Sequence, residues 1–294
     1  MRTALVTGAS SGIGLEIALH FAREGYRVYG GARRPEMVEG HENIVPLKLD
    51  VTDDASVQEC VASVGPVDVL VNNAGIGMAG TVDLVPMEKI RFLFETNFFG
   101  AVRMMQAVLP GMRERRSGTV VNITSAMGRM TLAGHAYYAA TKYALTAVSE
   151  TLAAEVHSFG IRVAIIEPGV VLTPIWGKGE YPMPAEHPYG LVMHRLERMF
   201  QTQLVGATLP DVVARAVYEA VETGCPRLRY PVGADSEVLA AARDRMTAAE
   251  WMQLSIIEDE AEFVAAAEKT FGVDLYNPPS LNQRRLDAAA IPVS

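Results

Sequence analysis

Three glycines within seven residues, Gly8-Ala9-Ser10-Ser11-Gly12-Ile13-Gly14, separate a short apolar run, Arg2 to Thr7, from an amphipathic one. The run before them reads as a buried strand. The run after them carries Ile17, Ala18, Phe21 and Ala22 on one face and stops at Gly25, as a helix does. Such glycines let the backbone turn tightly, and the helix N-terminus that follows offers free N–H groups and a positive dipole end. Strand, glycine loop and helix in this order are the setting a dinucleotide pyrophosphate needs. Gly8, Ser10, Ser11, Gly12, Ile13 and Gly14 are therefore candidate cofactor contacts.

The strand-then-helix alternation continues. Further strands are expected over Tyr26 to Gly31, Ile44 to Leu49, Val67 to Val71, Thr119 to Thr124, Ile161 to Glu167 and Leu228 to Val232. Between them lie a helix from about Ala55 to Val64, with Thr52 and Asp53 as caps, and a long one over Met87 to Arg116. Pro110-Gly111 is the expected kink in the long helix. An alanine-rich helix running to about Phe159 and another over Pro210 to Thr223 complete the set. Alternation of this kind builds a mainly parallel seven-stranded sheet with helices on both faces, a doubly wound α/β fold.

The strand ends carry the next candidates. An acid after the second strand would bond the adenosine 2′-hydroxyl of NAD. Here Ala32, Arg33 and Arg34 follow instead, with no acid before Glu36. The Arg33 fork suits a 2′-phosphate, which favours NADP over NAD, unless both arginines are simply solvated. Asp50, beside Val51, either accepts a bond from the adenine amino group or braces its own loop. Asn73, Ala74 and Gly75 close the fourth strand with residues small enough for a cofactor to lie near.

The stretch from Ser125 to Lys142 holds the reactive groups. Tyr138 and Lys142 are four apart and share a helix face. A free tyrosine titrates near ~10, too high for efficient proton exchange at neutral pH, and a neighbouring cation lowers that value. Ser125 is placed to hold a substrate oxygen. A Tyr/Lys pair at this spacing is equally an ordinary helix feature; the surrounding motifs decide between the two readings.

Charge and cysteine content exclude other classes. The chain has 294 residues and a formal net charge of −8, which argues against nucleic acid as a partner. Its dense basic cluster, Arg113, Arg115 and Arg116, sits where a helix should end and reads as a solvated terminus. Two cysteines, Cys60 and Cys225, make no disulfide framework and suit a reducing cytoplasm. No secretory leader and no membrane span are expected, since no apolar run approaches ~18 residues. No metal site is expected either.

Taken together, these motifs resemble the classical short-chain dehydrogenase/reductase family. Its Thr-Gly-x-x-x-Gly-x-Gly is Thr7 to Gly14, its Asn-Asn-Ala-Gly is Asn72 to Gly75, and its asparagine is Asn97 in Thr-Asn-Phe-Phe-Gly. Its serine, thirteen residues before the tyrosine, is Ser125. Tyr137 is a rival to Tyr138, but four residues beyond it stands Thr141, not lysine. Pro168-Gly169-Val170-Val171-Leu172-Thr173 matches the family's Pro-Gly-x-x-x-Thr. The resemblance is close to about residue 175 and loose thereafter.

The resemblance implies a Rossmann-type fold and a division of labour. Tyr138 would act as acid/base. Lys142 would lower the tyrosine's pKa and hold the nicotinamide ribose. Ser125 would orient the substrate oxygen, and Asn97 would hold a water through its backbone. Thr173 and the Val171 backbone would anchor the carboxamide. The cofactor implied is NADP(H), and a homodimer or homotetramer is expected through the two long helices, with Phe98, Val102 and Met105 on a face that serves either core or interface. The expected activity interconverts a ketone or aldehyde and an alcohol, on an apolar, mid-sized, steroid- or retinoid-like molecule. An NAD-preferring enzyme and a catalytically silent NADP-binding regulator are the alternatives.

Residues 1–275 are read as one domain. It includes a substrate lid over about 174–200, with Ile175, Trp176, Tyr181, Met183, Tyr189, Leu191 and Met193 facing substrate or merely packing the lid down. Met78, Met127, Met130, His135 and Tyr137 are further pocket candidates, His135 as bystander or as catalyst. Helices are expected over Ser236 to Arg245, Ala248 to about Ile257 and Glu258 to Lys269. This extension of about 234–275 covers the pocket, joins a subunit interface or does neither. Residues 276–294 are expected to form a loose, proline-containing tail.

Overall fold

The computed structural model describes residues 1–38, 40–175, 188–205 and 207–272, with residues 199–205 described by backbone alone. Trp176, Tyr181 and Met183 of the expected lid, and the 276–294 tail, lie outside the described residues. Seven strands form one sheet: β1 (Thr3–Thr7), β2 (Arg27–Ala32), β3 (Ile44–Lys48), β4 (Val69–Asn72), β5 (Gly118–Ile123), β6 (Ile161–Pro168) and β7 (Arg229–Val232). Their order across the sheet is β3-β2-β1-β4-β5-β6-β7. Every pairing is parallel, so the sheet is wholly rather than mainly parallel. The chain moves outward from β1 to β3 and then returns to start β4 on the other side of β1. That reversal opens a crevice beyond the carboxyl ends of β1 and β4.

Strand periodicity assigns each apolar side chain to a layer. On one face Ala4, Val6, Val69, Val71, Val121 and Ile166 pack under α1 (Gly12–Arg23) and α7 (Pro210–Glu222), which contribute Ile17, Phe21, Val213 and Val217. On the other, Leu5, Leu70, Val120 and Val163 pack under α2 (Asp54–Val64), α4 (Gly100–Arg115) and α5 (Ala136–Val156), through Val57, Met104, Met112 and Leu145. Each such fully buried side chain contributes about 1.5–3 kcal/mol. Strands covered on both faces must be apolar at successive positions, which is why β1, β4 and β5 read as unbroken runs.

A polar ladder crosses the apolar layer. Asn72 at the end of β4 donates to Asn122 Oδ1 on β5 at 2.8 Å, and Asn122 donates to Ser149 Oγ on α5 at 2.7 Å. Buried amides so paired fix the register of α5 against the sheet.

The helical run over residues 87–116 departs from expectation. It consists of α3 (Met87–Phe94), one turn of π-helix over Glu95–Phe99, and α4, which continues through Pro110. The irregularity therefore falls at Asn97 and not at Pro110-Gly111. The wider π turn is stabilised from outside the helix: the Asn97 side chain bonds both the N–H and the carbonyl of Ile76, at 2.8 and 2.9 Å. At the end of α4, Arg115 reaches the Val67 carbonyl and Arg116 that of Ser158, so two of the three basic residues tie elements together. Asp53 caps α2 by accepting from the Ser56 N–H at 2.7 Å, whereas Thr52 turns to Asp50.

After α6 (Gly190–Val205) and β7 come α8 (Ala234–Arg245), α9 (Ala248–Ser255) and α10 (Glu260–Phe271). Trp251, Leu254, Ala267 and Phe271 pack against Ala126, Met127, Met130 and Leu132, so the extension rests on the segment following β5. Glu167, 1% exposed at the end of β6, takes Arg129 at 2.9 Å and Arg229 at 2.5 Å, and Arg129 also holds Asp244 of α8 at 2.7 Å. No helix among the described residues is long and apolar enough to cross a membrane.

Candidate active site

A cavity of about 390 Å³ occupies the crevice beyond the strand ends. One side is the glycine loop. Gly8 and Gly12 hold φ angles of +70° and +56°, a region L side chains rarely enter. A Cβ on Gly8 would lie 3.0 Å from Ala74 Cα, and one on Gly12 would lie 3.2 Å from Thr173. Both glycines thus keep open a narrow cradle. Ser11, at the N-cap of α1, makes no side-chain capping bond, and the first turn of α1 contains no acid. The helix end is left to an anion. Asn73 braces this loop from below, donating to the Thr7 carbonyl at 2.9 Å, while Thr7 Oγ1 accepts from the N–H groups of Asn73 and Ala74 at 3.0 and 2.9 Å.

The expected cofactor residues Gly8, Ser10, Ser11, Gly12, Ile13, Arg33, Asp50, Val51, Asn73, Ala74, Gly75, Val171 and Thr173 all reach the cavity wall. Gly14 does not. A Cβ there would come within 2.4 Å of the Gly8 carbonyl oxygen, so its role is close packing of α1 against the loop. Asp50 Oδ1 accepts from the Thr52 N–H at 3.0 Å and its hydroxyl at 2.7 Å, so the carboxylate braces its loop while facing the cavity. Burial works to raise its pKa, yet the Thr52 bonds and the Arg33 charge bring it below the ordinary carboxylate range.

The opposite side carries Ser125, Tyr138 and Lys142. Ser125 caps the turn after β5, where its Oγ accepts from the Met127 N–H at 3.2 Å. Tyr138 and Lys142 rise from successive turns of α5, with Lys142 Nζ 5.7 Å from the centre of the Tyr138 ring. The Lys142 ammonium is buried and donates to the Ile123 carbonyl at 3.0 Å. Burial pushes its pKa down to about 8. Asn97 lies behind this wall, not in it; besides Ile76, its amide reaches Thr141 Oγ1 at 3.3 Å.

Met78, Met127, Met130, His135 and Ile175 line the cavity as expected. His135 is buried, edge-to-face with Tyr138 at 6.5 Å, and burial pushes its pKa down to about 4. It is therefore neutral rather than an imidazolium at physiological pH. Tyr137 is not in the wall: it packs with Tyr138 against Met78, Val85, Ile90 and Leu93, and its hydroxyl donates to the Val82 carbonyl at 2.5 Å. Tyr189, bonded to Asp83, and the exposed Leu191 stand outside it, and Met193 packs with Ala79 and Leu196.

Of the alternatives the sequence left for the extension, α8–α10 take that of covering the pocket, through residues the sequence did not single out. Asp235, Leu239, Trp251, Leu254, Ser255, Phe263 and Phe271 all reach the same cavity. No spacing rule links them to Tyr138, because the link is a tertiary one. The apolar faces of three consecutive helices were the available signal.

The chain is similar in sequence to human and bacterial proteins. Over 190 residues the chain is 40% identical to human retinol dehydrogenase 8, covering 60% of this chain and 61% of that protein. It is 42% identical over 169 residues to the 3-ketodihydrosphingosine reductase of Bacteroides thetaiotaomicron, covering 56% and 62%. The matched segment thus spans just over three fifths of each relative's length. A solved short-chain dehydrogenase from Streptomyces avermitilis superimposes with a TM-score of 0.77 at 38% identity, covering 86% of this chain and 97% of that one. Residues 2–181 match the family model described as short chain dehydrogenase, and the chain belongs to that family.

Proposed function

We propose that the protein is an NADP(H)-dependent oxidoreductase interconverting a ketone or aldehyde with an alcohol, on an apolar substrate of steroid- or retinoid-like size. The observation that carries this reading is the meeting of Ser125, Tyr138 and Lys142 on one cavity wall, opposite a glycine cradle at a bare helix end. The cradle's width and its free N–H groups fit a pyrophosphate. Gly8 to Ile13 would hold it, Arg33 the 2′-phosphate, Asp50 and Val51 the adenine side, and Asn73 to Gly75 the middle. Lys142 would hold the nicotinamide ribose, and Thr173 with the Val171 backbone the carboxamide. When bound, the nicotinamide supplies or takes up the hydride.

The chain's own groups handle the proton and the oxygen. The Tyr138 hydroxyl donates a proton to a ketone oxygen, or its phenolate takes one from an alcohol. A charged Lys142 beside the ring favours the phenolate and brings tyrosine chemistry toward neutral pH. The Ser125 hydroxyl donates to the substrate oxygen and stabilises charge developing there. Asn97 keeps the α3–α4 junction against α5 and so positions Lys142's helix.

Residues 1–275 are read as one catalytic unit. Cytoplasmic residence is supported by free Cys60 and Cys225. A homodimer or homotetramer is supported by Phe99, which stays exposed just before α4; Met105 is core, with Phe98 and Val102 packed against it. The decisive experiment follows NADPH consumption over a panel of apolar ketones and aldehydes. Tyr138→Phe should lower kcat by about 10²–10⁴-fold. Turnover undiminished by this substitution would sink the reading.

A further inference from the structure

Beyond Ser125 and Tyr138 the cavity ends against the extension. Its far wall is formed by Met127, Met130, Trp251, Leu254, Phe263 and Phe271. The few polar groups among these described residues are already committed. The Trp251 indole N–H donates to the Thr131 carbonyl at 3.1 Å, and the Ser255 hydroxyl donates to the Trp251 carbonyl at 2.9 Å. The Arg195 guanidinium, stacked 4.3 Å from the Phe263 ring, is taken up by Glu260 at 2.7 Å and by the Ile257 and Glu258 carbonyls at 2.5 and 2.9 Å. Phe271 meets Trp251 edge-to-face at 6.1 Å and fixes the indole plane. The wall therefore offers a ligand mainly hydrocarbon contact and no spare donor, with the Ser255 Oγ lone pairs as its one remaining acceptor among these groups. A carbonyl placed against it would lose its water without replacement, and a hydroxyl would regain at most the one bond that Ser255 Oγ can accept.

We propose that α8–α10 select the substrate class: an elongated hydrocarbon with one reacting oxygen, held at Ser125 and Tyr138, whose other end is unfunctionalised and stops against Trp251 and Phe271. This rests on the oxidoreductase reading above and sharpens it. Molecules oxygenated at both ends, as many steroids are, fall outside the class, while alkyl and isoprenoid chains fall within it. Trp251, Leu254, Phe263 and Phe271 are specificity-determining residues that contact the tail, not the reacting carbon.

The test uses the full chain with NADPH and a series of 2-alkanones from butan-2-one to dodecan-2-one, plus 12-hydroxydodecan-2-one. The expected result is a kcat/KM that rises about fourfold per methylene until the chain fills the cavity. The terminal hydroxyl should lower kcat/KM at least about tenfold relative to dodecan-2-one. Trp251→Ala should cut the dodecan-2-one to butan-2-one ratio at least tenfold. Leu254→Trp, which fills the cavity instead of emptying it, should move the optimum to a shorter ketone, a change misfolding does not produce. Turnover without chain-length dependence, a tolerated terminal hydroxyl, or an unmoved optimum in Leu254→Trp overturns the proposal. Binding is read separately in Trp176→Phe, which leaves Trp251 as the remaining tryptophan. Saturable change of its emission on titration with dodecan-2-one supports the wall even where no ketone turns over, in which case the catalytic reading fails instead. No change in emission overturns the wall.

Discussion

The backbone N–H of Val170 donates to the Asp235 carboxylate at 2.6 Å, joining the loop after β6 to the first turn of α8. The rest of that loop is held in the same manner. The Gly169 N–H donates to the Val232 carbonyl, and Val170 and Leu172 pair with Thr208. All the partners lie beyond residue 205. Asp235 is thus a positioning residue for the loop proposed to anchor the nicotinamide. Asp235→Ala should raise KM for the cofactor by about 10-fold or more, the worth of one charged hydrogen bond, with a smaller effect on KM for substrate. Asp235→Asn, which retains an acceptor, should recover most of it. Steady-state kinetics with both substrates varied distinguishes this from general destabilisation, which would not separate the two constants.

Arg33 stands on the cavity wall close enough to Asp50 for its charge to lower that carboxyl. Arg33→Ala should weaken NADP binding by about 10–100-fold and leave NAD binding nearly unaltered, since only the former carries a phosphate for the guanidinium. Calorimetric titration with each nucleotide measures both. Equal losses for the two would remove Arg33 from the cofactor assignment.

Lys142 is a buried cation whose pKa lies near 8 against 10.5 in an unfolded chain. Between those values the unfolded state binds more protons, so stability rises with pH through that window. Below pH 8 both states are charged and the full burial cost remains, on the order of 3 kcal/mol. Lys142→Met should therefore stabilise the nucleotide-free protein at pH 7.5 while abolishing turnover. Its advantage should shrink as pH approaches 10. Urea denaturation at pH 7.5 and 9.5 checks the sign, and a variant less stable at pH 7.5 would contradict it.

His135 has the same sign in a lower window. Its pKa falls from 6.5 to about 4 on folding, so neutral burial stabilises the fold above pH 6.5. That contribution, about 3 kcal/mol at most, is lost as the pH drops toward 4. His135→Phe should lose less stability than the parent chain between pH 6.5 and 4.5. Thermal denaturation across that range provides the comparison; parallel curves would show that other groups carry the acid sensitivity.

Local chemistry was legible in the sequence, and long-range geometry was not. Gly8 and Gly12 were readable because a positive φ demands glycine, and Tyr138 and Lys142 because one helical turn joins them. Lysine at 142 and threonine at 141 also separated Tyr138 from Tyr137, and the bond of Tyr137 to Val82 accords with that choice. Gly14 kept its place in the motif but serves packing, a distinction that needs the position of the Gly8 carbonyl. The π turn at Asn97 left no mark on the hydrophobic period, because it is held by the backbone of Ile76, twenty-one residues away. The helices of the extension were recognisable within two or three residues of their ends. Their docking on Met127 and Met130 was not, because many apolar faces would have accepted a three-helix patch.

The Trp251–Thr131 bond closes a span of 120 residues. In the sheet, β7 is an edge strand, so β1 to β6 are contiguous without anything after Pro168. A chain growing from its N-terminus therefore emerges with its glycine cradle and its Ser125–Lys142 wall before the helices that confine a substrate's tail. The order of synthesis completes both the proposed tail wall and the Asp235 tie of the loop after β6 last. Losing α8–α10 would undo both at once, opening the proposed tail wall and releasing the loop after β6 from Asp235.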